Sequence, residues 1–204
     1  MQFIETAEDL RAIYGEASQG ALRKQLASLD EHARKFLSLS PFAVIGSQAP
    51  NGMGDVTPRG DQPGFTVALD DHTIAMPDRP GNARLDTLDN ILRNPAVGLI
   101  FMIPGMNETL RINGMAKITA DPGLCERLAV NGKPAKSVIV IAVHEVYMHC
   151  AKAYIRSKLW KPETWPERSS MPSLGEILRD QIAHSVAAEQ IDESLAENYR
   201  KELW

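Results

Sequence analysis

Cysteine is nearly absent: the chain of 204 residues has two, Cys125 and Cys150. Two cysteines exclude a disulfide scaffold, and no CxxC pair occurs, so a reducing, cytoplasmic setting is the expectation. Long apolar runs are missing as well. The longest, VIVIAV from Val138, is far too short to cross a bilayer. The opening MQFIETAEDLRAIYGEAS has acidic residues where a signal peptide would be apolar, so none is expected. There is no excess of positive charge. A net charge of −4 argues against general nucleic-acid binding. No internal repeat, no low-complexity segment and no HExxH occurs. His144 and His149 fall on opposite faces of a regular strand, so no metal site is expected from them. NGKPAKS, from Asn131, lacks the first glycine and the spacing of a P-loop and reads as a turn.

What is there is an ordinary globular composition, 44% hydrophobic and 24% charged, with 14 Gly and 13 Pro. Residues 1–40 read as a helical extension of two or three helices. Thr6 and Asp9 resemble a capping box. Pro41 changes the pattern. PFAVIGSQ is apolar and β-branched, and Asn51-Gly52 marks a hairpin into GDVTPRG. Two more strands flank Asp70-Asp71, and AVGLIFMI from Ala96 reads as a buried strand. NETLRINGMAKITAD alternates cleanly: Thr109, Arg111, Asn113, Met115 and Lys117 share one face, and Leu110, Ile112, Gly114, Ala116 and Ile118 the other. Asp121-Pro122 opens a short helix, and SVIVIAVHEVYMHC is a long strand. SLGEILRDQIAHSVAAEQ reads as one helix. Six or seven strands with short connections and few crossover helices predict an antiparallel sheet or closed barrel, mainly β, with flanking helices.

PGNARLDTLDNILRNP, Pro80 to Pro95, reads as an amphipathic helix. Asn82 is the expected cap, and Leu85, Leu88, Ile91 and Leu92 the apolar stripe. Arg84 then falls in the first turn, where the helix is already electropositive. Two readings resolve the conflict. Either an anion, with phosphate the natural candidate, binds there between free amides and guanidinium, or Arg84 pairs with Asp86 or Asp78 or is solvated. Arg59, at the end of a strand before a Gly-Asp turn, is open to the same two readings.

MPDRPGNARLDTLDNILRNPAVGLIFMIPG, ETLRINGMAKIT and HCAKAYIRSKLW together resemble the pyridoxamine 5′-phosphate oxidase-like FMN-binding split-barrel superfamily. More narrowly, they resemble its bacterial branch of FMN-dependent enzymes of unassigned substrate. The resemblance runs from about Phe42 to Trp165 and implies a six-stranded antiparallel split β-barrel at 41–165, with 166–204 a helical segment packing on the barrel or on a partner. It also implies a homodimer with FMN at the interface and a small-molecule substrate. In such proteins the flavin phosphate lies between a strand end and a loop-to-helix turn, which here hold Arg59, and Asn82 with Arg84. Asp55, Val56, Thr57 and Pro58 would run along the flavin, and Pro77 and Asp78 would sit by its ribityl chain or ring edge. Thr109 takes the place of a glutamine facing the ring, with Arg111 two residues on. Lys152, Arg156, Ser157 and Trp160 would reach the partner's site. Lys152, Arg156 and Trp160 share one face at helical spacing, which equally suits a solvated basic stripe at a dimer surface. The C-terminal Arg-and-His substrate signature of the true oxidase is missing, so pyridoxamine phosphate is not the expected substrate. The expectation is an FMN-dependent oxidoreductase. The alternatives are a flavin or haem carrier or sensor, with His149 or His184 as axial ligand, and a deazaflavin-dependent reductase.

Overall fold

The computed structural model describes residues 1–182 and 185–203. Helix α1 (Ala7–Tyr14) opens with the predicted box: the Thr6 hydroxyl accepts from the Asp9 amide at 3.1 Å and donates to its carboxylate at 2.6 Å. It buries none of its residues. After the short α2 (Gln19–Arg23), α3 (Glu31–Leu39) is capped by Asp30, whose carboxylate accepts from Ala33. The cap aims Ala33, Phe36 and Leu37 into the same core that the strands build.

That core lies inside one sheet of seven antiparallel strands: β1 (Phe42–Gln48), β2 (Gly54–Gly60), β3 (Val67–Ala68), β4 (Thr73–Asp78), β5 (Ala96–Met102), β6 (Thr109–Thr119) and β7 (Ser137–His149). Their hydrogen-bonded order is β2-β1-β5-β6-β7-β4-β3. The two-residue β3 accounts for the seventh strand beyond the six of the expected barrel. The Asn51-Gly52 turn closes the β1–β2 hairpin with Gly52 left-handed at φ 84°, a conformation that glycine adopts without strain. Alternation along β6 turns Leu110, Ile112 and Ala116 inward, paired with Met148, Val146 and Ile141 of β7. Gly114 is required in that row: a Cβ there would lie 2.1 Å from the Ala142 carbonyl oxygen.

Helix α4 (Asp86–Arg93) lies against β1, β2 and β6, and α5 (Pro122–Arg127) starts at the predicted Asp121 cap. Beyond β7, α6 (Lys152–Ser157) stops where Lys158 turns left-handed. The single helix expected over residues 173–190 is instead two, α7 (Leu174–Ile182) and α8 (Ala188–Glu202), with Ala187 extended between them. Packing overrides propensity here: the Gly175 amide donates to Asp192 at 2.7 Å, and Gly175 and Ala188 are both buried in the close approach. Among the described residues, no helix is long and apolar enough to cross a membrane.

Candidate functional site

The sheet curls until its ends meet. Arg59, on β2, forms an ion pair with Asp78, at the end of β4, at 2.5 Å. Just past the ends of the two strands the polarity reverses: Arg79 Nε donates to Asp61 at 2.5 Å, and a second Arg79 nitrogen donates to the Leu128 carbonyl at 2.8 Å. Both pairs are largely withdrawn from solvent. Arg59 keeps one donor in reserve, since its Nε is buried with no hydrogen-bond partner. Buried donors are nearly always paired.

The start of α4 corrects the expected helix. Asn82 does not cap it. Its side-chain oxygen accepts from the Arg84 amide at 3.1 Å, a local turn that competes with helix. The helix begins at Asp86, and Leu85 stands at its cap position, left-handed at φ 63°, with no side chain bonded to the first amides. Ala83 is left-handed too. Two non-glycine residues in this region are uncommon, and for bulky Leu85 the conformation is a genuine outlier. Arg84 therefore precedes the helix and is not in its first turn. Its guanidinium pairs with Asp86 at 2.7 Å on the surface, which leaves Asp78 to Arg59.

The buried face of α4 is more polar than the expected leucine stripe. Leu85 and Leu92 are exposed, and the buried residues are Thr87, Asn90 and Ile91. Thr87 shares a hydrogen bond with Thr57 at 3.0 Å, and Asn90 donates to Ser47 at 3.0 Å and to Asp55 at 3.2 Å. Ser47 also donates to Asp55, at 3.3 Å. Asp55, Thr57 and Arg59 occupy one face of β2, so this network fixes the uncapped start of α4 against the strand that carries Arg59. The Asp55 carboxylate is thus engaged by Ser47 of β1 and by Thr87 and Asn90 of α4. β2 is a sheet edge, with one row of backbone groups unpaired by a neighbouring strand. Val56 and Pro58 face outward. Ser47, Thr87 and Asn90 escaped the sequence reading, although Thr87, Asn90 and Ile91 share one helix face.

Pro77 is buried within β4, paired with Val138. Beside it, Asp78, Arg79, Pro80, Val130, Lys133 and Lys136 line a cleft of about 170 Å³. Lys133 belongs to the predicted NGKPAKS turn, closed by the Val130–Lys133 bridge.

The remaining candidates gather at the other end of β6 and β7. Thr109 is 2% exposed and paired with His149. Arg111 lies over the Tyr147 ring, 5.3 Å from its centroid. Lys152 and Arg156 are exposed on α6, and the Ser157 hydroxyl donates to the Tyr154 carbonyl. Trp160 does not continue their face, because the helix has ended. Its ring stacks on Tyr154 at 5.9 Å, and its Nε1 donates to the Met106 carbonyl at 2.7 Å. Among the described residues, no hydrogen bond or ion pair joins this group to Arg59. His144 sits in a bulge opposite the Asn113–Gly114 step. Partial burial, then the charges of Arg111 and Lys24, hold the His149 imidazole below its ordinary pKa. His184 lies outside the described residues. Among those described, no cluster of His, Cys, Asp and Glu could hold a metal.

The sequence model of the family described as pyridoxamine 5′-phosphate oxidase matches residues 29–150. No curated protein matches the chain. Among solved structures, HupZ of Group A Streptococcus is similar with a TM-score of 0.49 and 14% identity, over 59% of this chain and 93% of that one. A protein described as a putative pyridoxamine 5′-phosphate oxidase from Lactobacillus delbrueckii gives 0.47 and 19%, over 61% and 98%. An FMN-binding protein from Syntrophomonas wolfei gives 0.45 and 9%, over 70% and 96%.

Proposed function

This chain belongs to the pyridoxamine 5′-phosphate oxidase family, and from that premise we propose that it is an FMN-dependent oxidoreductase acting on a small molecule. The observation that carries the reading is the unpartnered, buried Nε of Arg59, on the strand to which α4 is bonded, together with the helix start whose amides have no side-chain cap. A phosphate would satisfy both at once. Guanidinium donors match its oxygens, and helix amides favour its charge.

In this reading Arg59, Arg84 and the first amides of α4 hold the FMN phosphate, with Asn82 shaping the loop. The backbone of Asp55, Val56, Thr57 and Pro58 runs along the cofactor, and Pro77 and Asp78 border its ribityl chain. Bound FMN supplies hydride chemistry at its N5. Thr109 lies at the ring edge, and Arg111 adds positive charge nearby. The Arg59–Asp78 pair keeps the guanidinium oriented before the phosphate arrives, so little ordering remains to be done on binding.

The reading includes a homodimer. Register places Val56, Gly46, Gly98 and Asn113 in one outward row, and Pro58, Val44, Ile100 and Arg111 in the next. Phe42, Val56, Ile100 and Met115 leave this face exposed and apolar, and the two glycines leave it flat. Monomers rarely present such a surface. A second copy covering it would bring its Lys152, Arg156, Ser157 and Trp160 toward the cofactor.

Reconstitution tests the proposal. Protein mixed with FMN and passed through a desalting column should remain yellow, with one flavin per chain, and elute as a dimer. Reduction by NADH or NADPH, then reoxidation with candidate acceptors, separates an enzyme from a carrier. A Soret band would replace the reading with a haem carrier on the same barrel. Colourless protein that binds deazaflavin would replace it with a deazaflavin-dependent reductase.

A further inference from the structure

Helix α1 has nothing to lie on. It turns Leu10, Ile13 and Tyr14 to one side, at i, i+3 and i+4, and buries none of them. Ile13 and Tyr14 stay 64% and 76% exposed, and Phe3 and Ile4, just before the helix, are exposed too. A helix of eight residues is too short to persist alone in water, where even ~12 are marginal, so it needs packing. Among the described residues this protomer supplies none.

The arm is nonetheless anchored close by. Leu26 and Val146 exchange two backbone hydrogen bonds of 2.9 Å, and Lys24 Nζ donates to the Met148 carbonyl at 2.9 Å. Residues 1–23 therefore leave the barrel at the far end of β7. Helix α6 leaves from the same end, just after His149. The two segments are opposite in charge. Residues 1–18 carry Glu5, Glu8, Asp9 and Glu16 against Arg11 alone, whereas 151–161 carry Lys152, Arg156, Lys158 and Lys161 and no acid. Among the described residues, no ion pair engages Glu5, Glu8, Glu16 or any of these four cations, and no hydrogen bond joins the two segments. Ile155 and Leu159 stand exposed among the cations.

We propose that the N-terminal arm of one protomer docks on the α6 segment of a second copy. Leu10, Ile13 and Tyr14 pack against Ile155 and Leu159, and Glu5, Glu8 and Glu16 face Lys158 and Lys161. This contact presupposes the homodimer proposed above. In that dimer the second copy brings its residues 152–160 toward Thr109 and Arg111. These pair with His149 and Tyr147, at the end of β7 where this chain's own arm departs. Two-fold symmetry makes the contact twice, arm to α6 and α6 to arm.

Two full-length variants test the contact, with dimer dissociation followed by sedimentation at low salt and flavin content measured in parallel. One reverses the arm, Glu5→Lys with Glu8→Lys and Glu16→Lys. The other reverses α6, Lys158→Glu with Lys161→Glu. All five residues are exposed, so both variants should fold. Each alone should raise the dissociation constant about tenfold or more, since several exposed pairs turn repulsive at both contacts. Mixed in equal parts, the two variants should associate about as tightly as the unaltered protein, because every arm then meets a complementary α6 across the dimer. Recovery only when all five changes share one chain would place the contact within a protomer and overturn the proposal. Unchanged association of both variants would overturn it as well. An unaltered protein that sediments as a monomer would overturn the contact together with the dimer, while flavin bound by that monomer would leave the cofactor reading standing.

Discussion

Arg59 and Asp78 meet at 2.5 Å although four strands, β1, β5, β6 and β7, separate theirs in the hydrogen-bonded order. With Arg79 and Asp61 they make two reciprocal ion pairs across the seam where the curled sheet closes. Closure at this seam is what gathers β2, β4 and the start of α4 into one place.

The seam should matter for stability. Asp78→Ala leaves a largely buried guanidinium without its counter-ion and should cost about 1.5–3 kcal/mol in urea unfolding. The double change Arg59→Met with Asp78→Leu should cost less than the single one, since replacing a withdrawn pair by apolar groups is often near neutral. Equal losses would mean that the pair contributes little.

Helix α4 is anchored by polar contacts, and these can be cut one at a time. Asn90→Ala removes one donor from each of Asp55 and Ser47, which keep their own mutual bond at 3.3 Å, and should lower stability by about 1–2 kcal/mol. If α4 positions the phosphate-binding amides, FMN affinity should fall in the same variant, as fluorescence quenching would show. A loss of stability with unchanged affinity would separate the anchor from the site.

Gly114→Ala drives a methyl group into the Ala142 carbonyl, 2.1 Å away. The β6–β7 ladder cannot move without disturbing both flanking strands. A penalty of about 3 kcal/mol or more is expected, the upper end for overpacking, read as a lowered urea midpoint. A shift below about 0.5 kcal/mol, the range of surface changes, would contradict the packing.

The α7–α8 pair should loosen in acid. The Ser173 hydroxyl, then the Gly175 amide, hold the Asp192 carboxyl below its ordinary pKa of 3.8. A carboxylate with a depressed folded pKa stabilises fully above its unfolded value, and that contribution fades as pH falls through the folded one. Amide exchange in α7 should therefore quicken below about pH 4, where unfolded carboxyls titrate. Asp192→Asn should remove the dependence.

Local rules made much of this legible from sequence. Alternation gave the two faces of β6 from Thr109 to Ile118, Asn51-Gly52 gave the β1–β2 hairpin, and Thr6 and Asp121 gave two helix starts. The failures are tertiary. Asn82 looks like a cap because its side chain does bond a nearby amide, yet Ala83 and Leu85 are left-handed and the helix waits until Asp86. Trp160 follows Lys152 and Arg156 at helical spacing, but a left-handed Lys158 intervenes. The partners of Arg59 and Arg79 lie across strands that are not neighbours, so no spacing announces them. Motif and resemblance marked the segments of the candidate site, and only folding showed which of their charges were already engaged.

The most direct test compares FMN with riboflavin, which lacks the phosphate. Affinity for each is measured by fluorescence quenching in the unaltered protein and in Arg59→Ala. If Arg59 and the α4 amides hold the phosphate, FMN should bind at least about tenfold more tightly than riboflavin, the effect of one or more charge-assisted hydrogen bonds. Arg59→Ala should then erase most of that ratio. Riboflavin binding as well as FMN, or a ratio that Arg59→Ala leaves intact, would contradict the account.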